Sequence, residues 1–193
     1  MRHGRLLLLF LAVLAVPADT TAQTGVCDVV SRRGETNFIN ANTPYQMAFI
    51  PAPTVSCTGG LVIIADSATM AESTKMIEFV GNVSYRDTIK TLTTDYAQYY
   101  ARDKHVVAQG NVVLTDLASG SVIIAPYLDY YQASETQPED LVIMHSGRPR
   151  AILVRAAAGD STRSDTTTVD ADGMEIRSQS AFIGRGNVEI TRA

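Results

Sequence analysis

The chain has no Trp, three His and two Cys in 193 residues, and only 19% of it is charged. Each shortage closes off a class of function. A metal centre needs three or four Cys, His or carboxylate donors at ligand spacing. Cys27 and Cys57 have no further cysteine and no His cluster to support them, so no metal site and no cofactor is expected. Hydrolytic chemistry needs a nucleophile, a base and a group that orients the base. Beyond residue 22 the histidines are His105, in an alternating polar-apolar run, and His145, beside a turn. Neither stands in a catalytic motif, so no catalytic residue is assigned and an enzyme is not expected. The formal net charge is −4 and no block of Lys and Arg occurs, which argues against nucleic acid as a partner. Beyond the N-terminal apolar run there is no sustained 3.6-residue periodicity, so helical architectures drop out.

The first residues have the order of an export signal. Arg2 and Arg5 precede an apolar run from Leu6 to Val16, eleven residues long, followed by small and polar residues. A membrane span needs about 20 apolar residues. The expectation is a signal peptide over 1–22, cleaved after Ala18 or Ala22 with Ala22 preferred, and a periplasmic chain; an uncleaved anchor is the alternative. A lipoprotein is disfavoured, because Val26 is bulky where processing before Cys27 wants a small residue. Export makes a disulfide between Cys27 and Cys57 chemically feasible, with two unpaired thiols as the alternative.

Residues 23–58 are irregular, with turn signals at Arg32-Arg33-Gly34 and Asn40 to Pro44 and candidate strands at Thr36–Ile39 and Tyr45–Ile50. Pro51 and Pro53 disfavour a central strand there. This segment is expected to cap a regular part that occupies 59–193. The regular part is marked by Gly81-Asn-Val83, Gly110-Asn-Val112 and Gly186-Asn-Val188. Asp66 and Asp95 each precede the Gly of their unit by 15 residues; Ala171 holds that position in the last unit, between Asp170 and Asp172. Gly60 to Ala65 and Gly120 to Ala125 agree at five of six positions, 60 residues apart. Gly147-Arg-Pro-Arg150 sits where another Gly-Asn-Val is due, and Pro149 suggests an edge or a break. Residues 132–140 suggest a long turn, and the small, polar stretch from Ala156 to Thr168 suggests a mobile loop. Internal repetition of this kind decides architecture before any single residue does.

Side-chain parity supports strands with one apolar face. In the first unit Ile77, Phe79, Gly81, Val83 and Tyr85 share a side; in the second, Val106, Ala108, Gly110, Val112 and Leu114 do. In the last, Phe182, Gly184, Gly186, Val188 and Ile190 do. Gly and Val of the motif thus fall on the apolar side and Asn on the polar side. The glycine is expected to relieve a bend or a close approach.

These residues carry a resemblance. An export signal followed by Ala65-Asp66-Ser-Ala68 with Gly81-Asn-Val83, Thr94-Asp95-Tyr-Ala97 with Gly110-Asn-Val112, and Gly186-Asn-Val188 resembles the OstA-like family. That family includes the lipopolysaccharide-transport proteins LptA and LptC and the N-terminal domain of LptD. The resemblance covers about 60–190. It implies an all-β jelly roll of two antiparallel sheets opened into a V, with lipid acyl chains in the groove. The function implied is a periplasmic bridge or carrier for lipopolysaccharide or a related lipid, its energy supplied elsewhere. The implied protein partners are other Lpt-type proteins, or further copies, joined strand edge to strand edge, with Ala181 to Ile190 as a candidate edge. The inward residues expected to line the groove are Ile77, Phe79, Val83, Val112, Leu114, Phe182, Val188 and Ile190. The alternative is a closed-core structural or assembly module that acts through its strand edges.

Overall fold

The computed structural model describes residues 27–134, 137–157, 160–177 and 181–192. The expected signal peptide and its cleavage point lie outside the described residues. Within them the chain is all-β, with no helix. The first strands are β1 (Cys27–Ser31), β2 (Asn37–Ile39), β3 (Met47–Pro51), β4 (Pro53–Cys57), β5 (Val62–Ile64) and β6 (Ser67–Ala71). Four long strands follow: β7 (Met76–Arg86), β8 (Lys90–Tyr100), β9 (His105–Asp116) and β10 (Val122–Tyr131). The last are β11 (Leu141–Met144), β12 (Arg150–Ala157), β13 (Asp160–Asp170), β14 (Gly173–Arg177), β15 (Ala181–Arg185) and β16 (Glu189–Arg192).

All 16 strands belong to one antiparallel sheet, and that sheet is folded over along a line. Strands β7 to β10 cross the fold line unbroken, while the shorter strands meet in pairs at it. One half therefore runs β2-β3-β6-β7-β8-β9-β10-β11-β14-β15. The other runs β1-β4-β5-β7-β8-β9-β10-β12-β13-β16. The result is a jelly-roll-like fold. The two antiparallel sheets expected are these two halves, and their ladder is continuous through the four long strands.

The repeated motif builds the fold line. Gly81 and Asn82 both have positive φ (77° and 45°), as do Gly110 and Asn111 (81° and 47°) and Gly186 and Asn187 (66° and 38°). The first two pairs are bulges: Val80 lies opposite Tyr96 and Val83 opposite Thr94, so two residues of β7 face one of β8, and Gly110 and Asn111 of β9 face Pro126 of β10. Gly186 and Asn187 make the matching bend between β15 and β16. An Asp on the neighbouring run of chain holds each bend: Asp95 within β8, Asp66 between β5 and β6, and Asp172 between β13 and β14. Asn82 Nδ2 donates to Asp66 Oδ2 at 2.7 Å, and the Asp66 N–H donates to the Gly81 carbonyl at 2.9 Å. Asn111 and Asp95 repeat the side-chain bond at 2.8 Å, and Asn187 and Asp172 at 2.7 Å. A Cβ on Gly81 would lie 2.5 Å from Asp66 Oδ2, so only glycine fits beneath the carboxylate. Asn tolerates the left-handed conformation better than other L-residues.

The partner strands show what the Asp-x-Ala spacing is for. In β8 the inward residues are Leu92 and Thr94, then Ala97 and Tyr99. In β10 they are Ile123 and Ala125, then Leu128 and Tyr130. Alternation slips by one residue at Asp95 and at Pro126, so both halves of a strand present their apolar side to the same interior. Ala65 and Ala68 flank Asp66 in the same way. The small side chains let the sheet turn over on itself at that line.

Two expectations change at the C-terminal end. The clasp residue of the last unit is Asp172, one position beyond Ala171, which is buried. Residues 158–159 of the stretch expected as a loop, 156–168, lie outside the described residues; the rest of it is strand. β12 and β13 pair from Arg150↔Asp170 to Ala156↔Ser164, and its Ser- and Thr-rich composition suits a strand at the margin of a sheet. Part of the 132–140 connection lies outside the described residues, and the break expected at Gly147 separates β11 from β12. Gly147 and Arg148 have positive φ, and Pro126 fills the place that Asp takes elsewhere, its Cγ 2.2 Å from where a Gly147 Cβ would lie.

At the N-terminal end Cys27 and Cys57 are directly opposite one another on β1 and β4 and form a disulfide. The core is one cluster spanning both halves, centred on Phe79, Val83, Tyr85, Leu92, Val112, Leu128 and Tyr130.

Candidate binding cleft

Opposite the fold line the two halves face each other across a mouth. Contacts across it are skewed. Tyr85 of β7 meets Tyr130 of β10 edge-to-face, with ring centroids 6.2 Å apart. Lys90, at the start of β8, reaches Asp140, just before β11, at 2.5 Å. This offset is the twist of the sheet expressed across the fold.

These contacts lock the middle of the mouth. The Tyr85 hydroxyl donates to Asp87 Oδ2 at 2.7 Å and accepts from Gln132 Nε2 at 2.6 Å. The Tyr130 hydroxyl donates to Asp140 at 3.2 Å, and the Lys90 ammonium lies 5.3 Å from the Tyr130 ring centre. Burial, with Asp87 beside one and Asp140 beside the other, pushes both phenols far above their ordinary value, so they remain hydrogen-bond donors at any physiological pH. Burial works against the Asp140 carboxylate, but bonds from Lys90 and the Ala133 N–H, and the Lys90 charge, outweigh it and hold its pKa below the usual carboxylate range.

Beyond the lock, toward the C-terminal end of the stack, the halves part and leave a cavity of about 380 Å³. Its walls are Leu114, Ile123 and Leu153 from one half and Val142, Ile176 and Phe182 from the other. Charged groups also line it: Lys90 and Asp140 on the side of the lock, and Asp116 and Arg155. Asp116 accepts from the Ser119 N–H and hydroxyl, both at 2.8 Å.

Of the residues expected to line a groove, the structure brings Leu114 and Phe182 to this cavity. Ile77, Phe79, Val83 and Val112 lie in the packed core, at 7% exposure or less. Val188 and Ile190 are exposed, at 47% and 61%, where the sheet ends. Ile123, Val142, Leu153 and Ile176 were not singled out by the repeat. Their signal in sequence is only alternation, which core and cleft residues share.

The remaining polar features have local explanations. His105 Nε2 lies 2.8 Å from Asp129 Oδ1, and its ring stacks on Tyr131 at 4.0 Å and Tyr100 at 5.4 Å, on the outer surface of the sheet. The basic spot is neutralised: Arg150 pairs with Asp170, and Arg148 with Glu189 and Asp172. Among the described residues no group of three or more His, Cys, Asp or Glu could hold a metal ion.

No family model matches the sequence, and no curated protein matches it significantly.

Proposed function

We propose that this chain shields the hydrocarbon part of a cell-envelope lipid, and that it does so in the cleft between the two halves of its folded sheet. The observation that carries this reading is an apolar cavity held open inside an otherwise tightly packed β-fold. Aliphatic and aromatic side chains make up most of its lining, with Lys90, Asp116, Asp140 and Arg155 as the charged groups among them. Burying an acyl chain there is favourable by roughly 25 cal/mol per Å² of apolar surface, and no chemical step is required. Lipopolysaccharide or a related lipid is the ligand that the resemblance of the Gly-Asn-Val units implies, and the periplasm is the compartment. The chain would act as a passive carrier or as one element of a bridge.

The test is lipid analysis of the purified, folded protein by native mass spectrometry. The wild type retains a lipid, and Leu153→Trp, which fills the cavity from a half-buried position, releases it without loss of fold. A wild type that carries and takes up no lipid contradicts the reading.

A second reading is favoured by a separate observation. Among the described residues β15 and β16 end the sheet at one extreme and β1 and β2 at the other, each with an open backbone edge. Ile190 at one end and Phe38 at the other are exposed by 61% and 57%. Such edges can continue a sheet into another chain of Lpt type or into another copy. Edge pairing and lipid shielding are compatible, and either can be lost alone.

A further inference from the structure

We infer that the cleft is a blind pocket for one linear acyl chain with an anionic head, with its closed end at the Lys90–Asp140 pair, backed by the Tyr85–Tyr130 contact, and its head against Arg155. This inference rests on the lipid-shielding reading and narrows its ligand.

The closed end follows from what stands on that side of the cavity, where Lys90 and Asp140 are the lining residues. On the N-terminal side of the cavity Tyr85 and Tyr130 are 1% exposed, and both hydroxyls are held in polar networks that also bind Lys90, Asp140 and Gln132. Behind them Phe79, Val83 and Leu92 are packed at 0–1% exposure. A chain sliding from the C-terminal end toward the N-terminal end would have to break a half-buried ion pair and then displace two buried rings. The apolar interior is therefore continuous as core but interrupted as a channel.

Volume limits the ligand. About 380 Å³ lies near the lower end of the range for small-molecule sites. The two layers of a folded sheet stand about 10 Å apart. That space suits one extended chain and excludes a bundle of several.

Charge selects the head. Four charged side chains line the cavity. Lys90 and Asp140 are committed to each other, and Asp116 caps the turn at Ser119. The Arg155 side chain is exposed, and its guanidinium makes no hydrogen bond or ion pair of 4 Å or less among the described residues, although Asp165 stands opposite it on β13. A guanidinium in that position offers a planar pair of donors to a carboxylate or phosphate.

The experiment is a binding series with saturated fatty acids of increasing length, below their micelle concentrations, read by calorimetry. A parallel series uses the corresponding alcohols. Affinity should rise about fourfold per added carbon while methylenes enter the pocket, then stop rising at a definite length. In the doubly substituted Lys90→Ala, Asp140→Ala protein the break should move to longer chains. Arg155→Leu should weaken acids about tenfold and leave the alcohols unchanged. Affinity that climbs through the longest chain, or a break that the double substitution does not move, overturns the blind end while leaving lipid shielding intact. Equal loss of acids and alcohols in Arg155→Leu overturns the head assignment. Absence of binding at every length, in wild type and Leu153→Trp alike, overturns lipid shielding itself.

Discussion

The fold line and the mouth are the two long margins of the same folded sheet, and they are built in opposite ways. Along the fold line one device recurs. Asp66 with Gly81-Asn82, Asp95 with Gly110-Asn111 and Asp172 with Gly186-Asn187 make the same bond at 2.7–2.8 Å, and Pro126 with Gly147-Arg148 is a variant. Along the mouth nothing recurs. Its middle is closed by side chains used once, including Lys90 and Asp140, 50 residues apart, and Tyr85 and Gln132, 47 apart. Repetition supplies a scaffold of constant geometry, and the non-repeated margin decides where that scaffold is shut and where it opens. The cleft exists because the lock stops at β11 while the halves continue to β15 and β16.

The comparison can be broken most severely at the fold line. Gly110→Val places a β-branched residue at φ 81° with its Cβ 2.7 Å from Asp95 Oδ2. The expected loss is about 3 kcal/mol in chemical denaturation, from backbone strain and a displaced carboxylate. The staple at the N-terminal end comes next. Replacing Cys27 and Cys57 by Ala opens a link between positions 30 apart and should cost about 2–4 kcal/mol, with the C-terminal cleft unaffected in ligand binding. A single clasp is worth less: Asn82→Ala removes one exposed hydrogen bond and puts a poorer residue at φ 45°, for an expected loss of about 1 kcal/mol.

The mouth gives the smallest effect on stability and a distinctive one on pH. Asp140→Asn should cost about 1 kcal/mol at neutral pH, since the lock is partly screened by solvent. The folded-state pKa of Asp140 is lowered from 3.8, so its contribution is complete above the unfolded value and is lost as pH falls through the folded one. The difference in unfolding free energy between wild type and Asp140→Asn should therefore shrink in acid, below about pH 4. A difference that stays constant with pH would show that the carboxylate charge does not hold the mouth.

The same contrast explains what could be read in advance. The fold line was legible because a repeated bend needs a repeated solution: glycine beneath a carboxylate, and Asn in a left-handed turn. The exact clasp at the last bend was not, because Asp172 stands 14 residues before Gly186 where Asp66 and Asp95 stand 15 before theirs. Nor was the hairpin of β12 and β13, whose small polar residues look like a loop until a partner strand is supplied. The mouth was illegible for a deeper reason. Phe79 and Phe182 have the same parity on equivalent strands, yet one is at 0% exposure and the other on a cavity wall. Their fates differ through the skew between the halves, which sets β7 against β10 and β8 against β11 and leaves β15 beside open space. That offset is a property of the folded sheet, and local alternation carries no trace of it.

The central claim is that position along the mouth, and not apolar parity alone, determines contact with lipid. Its most direct measurement places a photo-crosslinking phenylalanine analogue at Phe182 or at Phe79, in protein expressed with an export signal in a cell that has an outer membrane. The account predicts a lipid adduct from position 182 and none from position 79. Equal adducts from both positions, or an adduct from 79 alone, would contradict it.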